Sequence, residues 1–534
     1  MESIQKNQLL INGFLHSVRQ HPESFALDVN DQLYTYKEVH SASLKIAHSI
    51  LKYNIEKNSL IAILASNSVS AYTGILGTLI SGKAYVPLNK KNPVSRTWDM
   101  LKRSGASTLV LGKECLNYFY TLLAEIQFPL VVILPDIEKN ENLTENYPQH
   151  KFIFAEEISA MNSTSFNVDV DCNSIAYLLF TSGSTGIPKG VPITNENVCA
   201  YLNYITHCFD FNITDKFSQT FPLAFDLSVH DLFLCWKVGA CLCVPEDEAS
   251  PALLSKFIRE KSITVWFSAP SIALLLKKIR LLKENIFPSL RYSLFCGEAL
   301  IENLAEAWQS SAPASRLINL YGPTETTIAI SWYEWKKEPE KNNCINGIVS
   351  IGKIFETQLF CIVNNDHQIV THGEKGELLL SGTQVSSGHF KDEDSINKYY
   401  LKLSHLGDNL WYKTGDLVME DKENNLHFWG RIDSQVKING FRVELQEVEH
   451  VLREAAQTEW VATVVKNDQN TLFAFVARSD ENNKLKESDI LNYCRNILPW
   501  YMIPDRLFFI EKMPLNSNGK IDRKQLIQLI QKYN

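Results

Sequence analysis

The stretch from Ser174 to Gly190, SIAYLLFTSGSTGIPKG, constrains the fold of this chain more than any other. Its apolar run is bounded by turn residues, which is typical of a strand buried on both faces. The glycine- and hydroxyl-rich loop that follows would direct backbone N–H and side-chain O–H donors to one point, and Lys189 adds a positive charge. Such donors suit an oxyanion, above all a phosphate group. The GxxxxGK[ST] pattern cannot be placed here, so the stretch predicts a phosphate-handling loop of another kind, with a merely flexible surface loop as the alternative.

Length and charge limit the classes of protein that this chain can belong to. Its 534 residues exceed the roughly 250–300 at which a single core stops growing, so at least two domains are expected. The net charge of −8 gives no overall attraction to nucleic acid or to an anionic membrane. The N-terminus lacks a basic segment followed by an apolar one, and no apolar run approaches the ~18 residues needed to span a bilayer. We therefore expect a cytoplasmic protein with neither nucleic acid nor membrane as a partner.

The cysteines and histidines do not predict a structural metal. Eleven cysteines are scattered without paired spacing, and the thirteen histidines show no H-E-x-x-H pattern. Cys241 and Cys243 form a lone C-x-C inside an apolar stretch, which favours buried reduced thiols over a metal site.

Helical and short apolar segments alternate along the first part of the chain. The pattern predicts helices over residues 33–53 and 69–82 and strands over 60–65, 84–88, 107–112 and 129–135. Residues 138–173 are polar, and we expect them to be irregular and on the surface. Alternation of this kind predicts an α/β domain with mostly parallel sheet.

Asp226 lies just before a predicted helix that follows the glycine-rich loop. Val229, Leu232, Phe233 and Trp236 recur at helical spacing and predict one buried face. An N-cap role would explain an aspartate at this position equally well, so two interpretations stay open from the residues alone. Further along, residues 262–270 predict a strand and residues 271–284 a helix.

Near Gly373 the sequence pattern changes and predicts short β segments and turns. Asn439-Gly440 predicts a type I′ turn between the strands of a hairpin over residues 436–443. A helix, two strands and two further helices follow, which indicates a compact α+β module of about 100 residues. We therefore divide the chain into a large N-terminal domain (residues 1–432) and a small C-terminal domain (residues 433–534).

Five motifs then identify a family resemblance. TSGSTGIPKG, YGPTETT, YKTGD, GRIDSQVKINGFRVEL and NSNGKIDR occur in the order and approximate spacing of the adenylate-forming enzymes. That superfamily contains acyl-CoA synthetases, firefly luciferase and the adenylation domains of non-ribosomal peptide synthetases. The resemblance covers nearly the whole chain and implies their fold, an α/β N-terminal domain with a small, mobile α+β C-terminal domain.

The resemblance assigns an ATP site to the large domain. The β- and γ-phosphates would be held by the glycine-rich loop: Thr181, Ser182, Gly183, Ser184, Thr185, Gly186 and Lys189. Glu325 resembles the Mg²⁺ ligand, and a hard divalent ion readily takes a carboxylate oxygen. Thr324 would lie beside the α-phosphate as part of the catalytic set.

The rest of the nucleotide has its own predicted partners. Tyr321 and Gly322 belong to the YGPTE motif, in which the tyrosine would stack on adenine, and Asn319 matches the position that bonds the adenine amino edge. Asp416 resembles the carboxylate that accepts both ribose hydroxyls, and Arg431 would reach the ribose or a phosphate.

The small domain carries the remaining predicted machinery. Lys520 resembles the catalytic lysine that bridges the substrate carboxylate and the α-phosphate as negative charge accumulates. Asp433 matches the hinge around which this domain rotates between two half-reactions. The first makes an acyl-AMP, and the second passes the acyl group to a thiol. Lys437 and Gly440 would face the active site in the second.

Asp226 decides the subclass, because an aspartate at this position characterises members that activate amino acids. Its carboxylate would pair with the substrate ammonium. Family alignment places the rest of the pocket wall at Leu227, His230, Phe267, Leu294, Cys296, Leu320, Ile328 and Ala329. Apart from His230 this wall is apolar, which favours a small apolar amino acid.

Two kinds of amino acid–carrier-protein ligase resemble this chain closely. DLSVHDLF, VWFSAPS and LFCGEAL, with the pocket cysteine, resemble D-alanine–carrier-protein ligases. Leu227, Phe267, Leu294, Leu320 and Ile328 together resemble stand-alone proline–carrier-protein ligases of natural-product biosynthesis. We favour L-proline, with D-alanine as the alternative, and His230 departs from both patterns.

The acceptor thiol must come from a separate partner, and we expect a carrier protein with a phosphopantetheine arm, with CoA as the alternative. No condensation motif precedes the match and no attachment motif follows it, so we expect a free-standing enzyme. From Arg506 onward six basic residues stand against two acidic ones, which suits an acidic carrier or a solvated surface. An acyl-CoA synthetase for a non-amino acid is a further alternative, and a non-catalytic adenylate-binding protein is a third hypothesis, which the presence of Lys520, Glu325 and Asp416 disfavours.

Overall fold

A computed structural model describes residues 8–54, 56, 59–183, 187–246, 249–338, 342–403, 406–466, 471–478, 485–516 and 521–533. Within these residues, none of the helices has the length and apolar character that a membrane span requires.

Two large sheets dominate the first 354 residues. In chain order their strands, with a short separate hairpin β16–β17, are β1 (Phe25–Val29), β2 (Gln32–Thr35), β3 (Leu60–Leu64), β4 (Ala84–Leu88), β5 (Thr108–Leu111), β6 (Val131–Ile133), β7 (Lys151–Ile153), β8 (Ile175–Thr181), β9 (Lys189–Thr194), β10 (Lys216–Ser218), β11 (Cys241–Cys243), β12 (Val265–Ser268), β13 (Tyr292–Phe295), β14 (Arg316–Tyr321), β15 (Ser331–Glu334), β16 (Cys344–Ile345), β17 (Ile348–Val349) and β18 (Lys353–Ile354).

Both sheets are mostly parallel, as predicted. The first has the order β7-β6-β5-β3-β4-β8-β9, and only the edge pair β8–β9 is antiparallel. The second has the order β18-β15-β14-β13-β12-β10-β11-β1-β2, with antiparallel pairs only at its two edges. All five residues of β3 are buried, because helices cover parallel sheets on both faces.

Helices connect and cover these strands. They are α1 (Asn12–Gln20), α2 (Tyr36–Tyr53), α3 (Val69–Ile80), α4 (Val94–Ser104), α5 (Leu116–Leu123), α6 (Glu141–Asn146), α7 (Ala155–Ser159), α8 (Asn195–Cys208), α9 (Asp226–Val229), α10 (Cys235–Lys237), α11 (Pro251–Glu260), α12 (Pro270–Lys278) and α13 (Glu302–Ser311). A π-helical segment, His230–Leu234, joins α9 to α10, and single 3₁₀ turns lie at Lys113–Cys115 and Thr324–Thr326.

Three sequence predictions need correction. The helix expected from residue 33 begins at Tyr36, because residues 33–35 extend β2 and the Thr35 side chain caps the helix by accepting from the Glu38 N–H. Residues 138–173 are not wholly irregular, since they form α6, β7 and α7, and Phe152 is buried at the sheet edge. The helix expected over 271–284 ends at Lys278, in α12.

A five-stranded antiparallel sheet follows the large ones. Its elements are β19 (Gln358–Val363), β20 (Lys375–Gly382), α14 (Asp394–Tyr399), β21 (Tyr400–Lys402), β22 (Leu410–Glu420) and β23 (Leu426–Arg431). The central strand β22 pairs with β20, β21 and β23, so it is held on both edges.

Residues after 433 pack around cores of their own. Their elements are β24 (Gln435–Ile438), β25 (Phe441–Glu444), α15 (Leu445–Ala456), β26 (Val461–Lys466), β27 (Thr471–Ala477), α16 (Glu487–Ile497), a 3₁₀ turn (Trp500–Met502), β28 (Arg506–Ile510) and α17 (Arg523–Tyr533). Two hydrophobic clusters consist only of residues from this region. Asn439 and Gly440 have φ of 51° and 83°, which confirms the type I′ turn of the β24–β25 hairpin.

Candidate active site

The candidate site lies where parallel strands of the second sheet end. Phe267 is on β12, Leu294 on β13 and Leu320 on β14, and the registers align Phe267 with Leu294 and Leu294 with Ile318. Carboxyl ends of neighbouring parallel strands meet at one edge, which is where open α/β sheets bind ligands.

The structure brings the predicted pocket wall together as a buried set. Its nine positions, all buried, are Asp226, Leu227, His230, Phe267, Leu294, Cys296, Leu320, Ile328 and Ala329. All the apolar members belong to one hydrophobic cluster between the two large sheets. The wall therefore offers apolar contact around a single carboxyl group and one imidazole.

Asp226 is the first residue of α9 and not its cap. The cap position is Phe225, which makes no side-chain capping bond. Burial raises the pKa of Asp226 to about 6, against the opposing effects of the Lys437 charge and a hydrogen bond from Thr324. When a carboxyl group is buried and its pKa is raised, a cation placed beside it strongly stabilises the charged form.

His230 adds no charge to this pocket. Its Nδ1 lies 2.6 Å from the Tyr201 hydroxyl oxygen, and its ring centroid lies 4.5 Å from that of Phe267. Burial lowers the pKa of His230 to about 3, so the imidazole is neutral at pH 7. The predicted helical face through Trp236 is interrupted here by the π turn, a feature frequent at functional sites.

The loop after β14 is held in a strained conformation. Thr327 and Ile328 have φ of 61° and 73°, which is rare for branched side chains. A Cβ on Gly322 would lie 2.6 Å from the Ala329 Cα, so only glycine allows this close return of the chain. This conformation places Glu325, the predicted metal ligand, and Ile328, a member of the predicted pocket wall, on the same short loop.

The predicted ribose site forms a connected polar group. The Tyr321 hydroxyl donates to one oxygen of Asp416 and the Arg431 guanidinium to the other, each at 2.5 Å. Asp416 and Arg431 lie opposite each other on β22 and β23. The Asn319 side-chain N–H₂ donates to the Ser350 carbonyl at 2.9 Å, which fixes the orientation of this amide.

The predicted phosphate loop connects β8 to β9, and the last residue of β8, Thr181, pairs with the first residue of β9, Lys189. A Cβ on Gly183 would lie 2.2 Å from the Ile187 carbonyl oxygen, so the turn requires glycine. Lys189 contacts the Tyr399 hydroxyl, with its Nζ 4.5 Å from the centre of that ring. Ser184, Thr185 and Gly186 lie outside the described residues.

Glu325 is a buried carboxylate that contacts the side chains of Arg442 and His389. Arg442 Nη1 lies 2.8 Å and 2.9 Å from its two oxygens, and His389 Nε2 lies 3.6 Å from Oε1. Burial alone would raise the pKa of Glu325, but the Arg442 charge and the His389 contact outweigh it and hold that pKa well below its usual range. The sequence patterns predict neither Arg442 nor His389 as site residues. The signal for Arg442 was a cation two residues after the hairpin turn.

The surroundings of Glu325 fit a magnesium ion with a single protein ligand and do not form a metal site built of several protein ligands. Among the described residues, no group of three or more carboxylate, imidazole or thiol side chains could hold a metal. Mg²⁺ commonly uses one or two protein carboxylates and completes its shell with phosphate oxygens and water. A single buried carboxylate beside a phosphate loop fits that donor set.

The β24–β25 hairpin lies directly against this site. The Gly440 N–H donates to Glu298 Oε1 at 2.6 Å, and a Cβ on Gly440 would lie 3.0 Å from that of Ala269. The Lys437 side chain is exposed in the cleft. Desolvation by the surrounding protein and the nearby Arg442 charge both lower its pKa. Glu298 is likewise not predicted as a site residue by the sequence patterns.

Two more contacts fasten the C-terminal region in this position. Arg96 and Glu447 form a buried ion pair at 2.6 Å, and the rings of Phe225 and Phe441 meet edge to face with centroids 4.5 Å apart. Asp433 accepts two hydrogen bonds from Arg431 at 2.7 Å. Lys520 lies outside the described residues.

Comparison with known proteins places this chain in a family. The model of AMP-binding enzymes matches residues 14–390. Zwittermicin A synthase ZmaJ of Bacillus cereus is 29% identical over 523 residues, covering 97% of this chain and 94% of that protein. The L-proline–[L-prolyl-carrier protein] ligase of Pseudomonas fluorescens is 29% identical over 528 residues, covering 98% and 100%. Tyrocidine synthase 3 of Brevibacillus parabrevis is 28% identical over 516 residues, and this chain spans only 7% of its length.

A solved structure is similar over nearly the whole length of the chain. The Vibrio cholerae adenylation domain AlmE, in complex with glycyl-adenosine-5′-phosphate, is 30% identical with a TM-score of 0.89 and covers 98% of both chains. These matches confirm the predicted adenylate-forming fold and the prediction of an enzyme of this superfamily.

Proposed function

Since this chain belongs to the AMP-binding enzymes, we propose that it uses ATP to activate an amino acid and passes the aminoacyl group to the thiol of a carrier protein. The observation that carries the proposal is Asp226, a buried carboxyl group whose pKa of about 6 leaves it ionised at neutral pH inside an otherwise apolar pocket. An ammonium group on the substrate would give that carboxylate its missing counter-charge.

In the first half-reaction, a carboxylate oxygen of the amino acid attacks the α-phosphorus of ATP, and the bond to pyrophosphate breaks. The glycine-rich loop with Lys189 would bind the departing phosphates, and Asp416 would accept hydrogen bonds from the ribose. Mg²⁺ bound at Glu325 would supply charge neutralisation to the phosphates. Lys520 would bridge the two reacting oxyanions.

In the second half-reaction, the carrier thiolate attacks the acyl carbonyl and AMP leaves. The hairpin tip at Gly440 lies against Ala269 and Glu298, and Lys437 lies in the cleft near Asp226 and Cys296. This arrangement supports a role for the hairpin in the thiol step, with Asp433 as the hinge. The acceptor we propose is a phosphopantetheine arm, as expected for relatives of carrier-protein ligases.

The proposed substrate is a small apolar amino acid, with L-proline favoured. The buried wall and the neutral His230 offer no second charge for a charged side chain. Phe267 and Leu320 give flat and branched apolar surface for a pyrrolidine ring, and a relative that aligns with this chain over its full length is an L-prolyl-carrier protein ligase. D-alanine is the alternative, and the glycyl adenylate held by AlmE adds glycine to the set.

ATP–pyrophosphate exchange with a substrate panel tests this proposal. The panel contains L-proline, D-alanine, L-alanine and glycine, together with cyclopentanecarboxylate and propionate as matched acids without the amino group. We expect exchange with at least one small amino acid and none with its amine-free match. Equal exchange with the amine-free acid would support an acyl-CoA synthetase instead, and no exchange with any of the small amino acids would refute the pocket assignment.

A further inference from the structure

We propose that Arg442 takes the place of magnesium at Glu325, so that the metal and the docked hairpin exclude each other at one carboxylate. The inference rests on the proposed function, because it takes Glu325 as the ligand of the ion that accompanies ATP. It makes Arg442 a positioning residue that couples departure of the metal and pyrophosphate to docking of the hairpin.

The contact occupies both oxygens of the carboxylate. Arg442 Nη1 lies 2.9 Å from Oε1 and 2.8 Å from Oε2, and the Glu325 side chain is 2% exposed. Mg²⁺ requires a carboxylate oxygen at about 2.0–2.1 Å in octahedral geometry. A guanidinium directly across both oxygens obstructs that approach and repels a second cation in a buried site.

Glu325 cannot stay unpaired in either state. A buried carboxylate without a counter-charge is costly, and removing one partner of a buried pair is strongly destabilising. The metal would meet this requirement while ATP is bound, and Arg442 meets it when the hairpin is docked. Exchange of one cation for the other keeps the carboxylate neutralised throughout.

A second contact of the same residue reaches the phosphate loop. The Ser182 hydroxyl, a predicted phosphate donor, donates to the Arg442 carbonyl oxygen at 2.9 Å. The side chain and the backbone of Arg442 therefore occupy two separate parts of the phosphate site. Bound pyrophosphate would compete for Ser182 while its metal competes for Glu325.

The hairpin transmits this competition because it is a short, fully paired unit. Arg442 lies opposite Lys437 in the β24–β25 register and two residues from Gly440, whose N–H is bonded to Glu298. Displacing Arg442 from Glu325 would therefore withdraw Lys437 and the turn as well. The hairpin therefore docks only after magnesium pyrophosphate has left.

The buried pair Arg96–Glu447 is a matched control. It also joins the N-terminal part to the region after residue 433, at 2.6 Å, with side chains 8% and 1% exposed. Neither residue contacts Glu325 in the described hydrogen bonds and ion pairs. Arg96→Met removes a docking cation of the same kind without touching the proposed metal ligand.

Hydrogen–deuterium exchange of peptides covering residues 435–444 tests the inference. The full-length enzyme is held at fixed pyrophosphate and ionic strength, with either Mg²⁺ or EDTA. For the wild type we expect Mg²⁺ to speed exchange in the hairpin at least threefold. Arg442→Met is expected to exchange fast under both conditions, whereas Arg96→Met should start faster than the wild type and still respond to Mg²⁺.

Glu325→Gln gives a second, nearly isosteric variant in case Arg442→Met folds poorly, and its hairpin should lose the Mg²⁺ response. Equal exchange of the wild-type hairpin with and without Mg²⁺ would overturn the inference, as would a wild-type response in Arg442→Met or Glu325→Gln. Amino-acid-dependent ATP–pyrophosphate exchange separates the two proposals, because an active enzyme with a Mg²⁺-insensitive hairpin refutes only the role of Arg442.

Discussion

The two ends of the candidate site treat buried carboxylates in opposite ways. At the proposed phosphate end, Glu325 and Asp416 each have an arginine within 2.9 Å. At the proposed amino-acid end, Asp226 has no ion pair among the described residues, and its pKa is raised to about 6. Under the proposed function, the protein supplies the cation at one end and the substrate supplies it at the other.

That contrast also separates two kinds of recognition. A carboxylate with an internal partner binds only what can displace or join that partner, as Arg442 illustrates at Glu325. A carboxylate kept without one selects for a charged substrate, because an uncharged competitor leaves the carboxylate buried and unpaired.

The largest effect should come from Asp226→Asn. Losing the counter-charge of a buried ammonium should lower kcat/KM for the amino acid about 10²–10³-fold. ATP–pyrophosphate exchange at varied amino-acid concentration measures this. Asp231→Asn is the matched control, because Asp231 is also a buried carboxyl group, lies on the adjoining π-helical turn and is not part of the predicted pocket wall. A similar loss in both variants would contradict the ion-pair role of Asp226.

Asp416→Asn should act on the nucleotide and not on the amino acid. The variant weakens hydrogen bonds between a charged group and the ribose, worth about 1.5–3 kcal/mol, or roughly 10–100-fold in KM for ATP. Steady-state exchange with each substrate varied in turn distinguishes the two constants. A larger rise in KM for the amino acid than for ATP would refute the ribose assignment.

The pH dependence should follow the carboxyl group of Asp226. Below a pKa of about 6 it is protonated, while the substrate ammonium stays charged, so kcat/KM for the amino acid should fall about tenfold per pH unit. Cys296, Tyr177 and Tyr201 lie near this group and stay neutral, because burial raises their pKa values.

Two other charges face the same carboxyl group: Lys437 lowers its pKa and Glu325 raises it. Asp226→Asn provides the test, since its residual activity should lose the acidic limb of the profile. An unchanged limb in that variant would assign the titration to another group. The free energy of unfolding should depend on pH in the opposite direction to kcat/KM. Protonated Asp226 favours the folded state, and that contribution is lost as the pH rises through about 6.

The smallest expected effect concerns the size of the pocket. Leu320→Ala should shift preference towards larger apolar amino acids by about tenfold, since a few methylenes of pocket space are worth about 1–3 kcal/mol. Competition between L-proline and L-leucine in the exchange assay measures the shift. Leu317→Ala, on the same strand but in a different hydrophobic cluster, should lose stability without changing the preference. Matching shifts in both variants would exclude Leu320 from the pocket.

The comparison of the two ends also shows how far sequence alone could predict the site. Local patterns in the sequence predict the buried strand before Thr181, the parallel sheets and the turn at Asn439-Gly440, because each of these depends on residues that are neighbours in the chain. The motifs predict Asp226, Glu325 and Asp416 as site residues.

Tertiary structure alone decided which cation each carboxylate meets. Arg442 reaches Glu325 across 117 positions of the chain, and Asp226 acquires its raised pKa from the packing of the whole pocket. The π turn at His230 and the edge strand at Phe152 likewise depend on the elements packed against them. Hydrophobic periodicity encodes which face of an element is buried, but the distance between two charges and the water excluded around them exist only once the chain has folded.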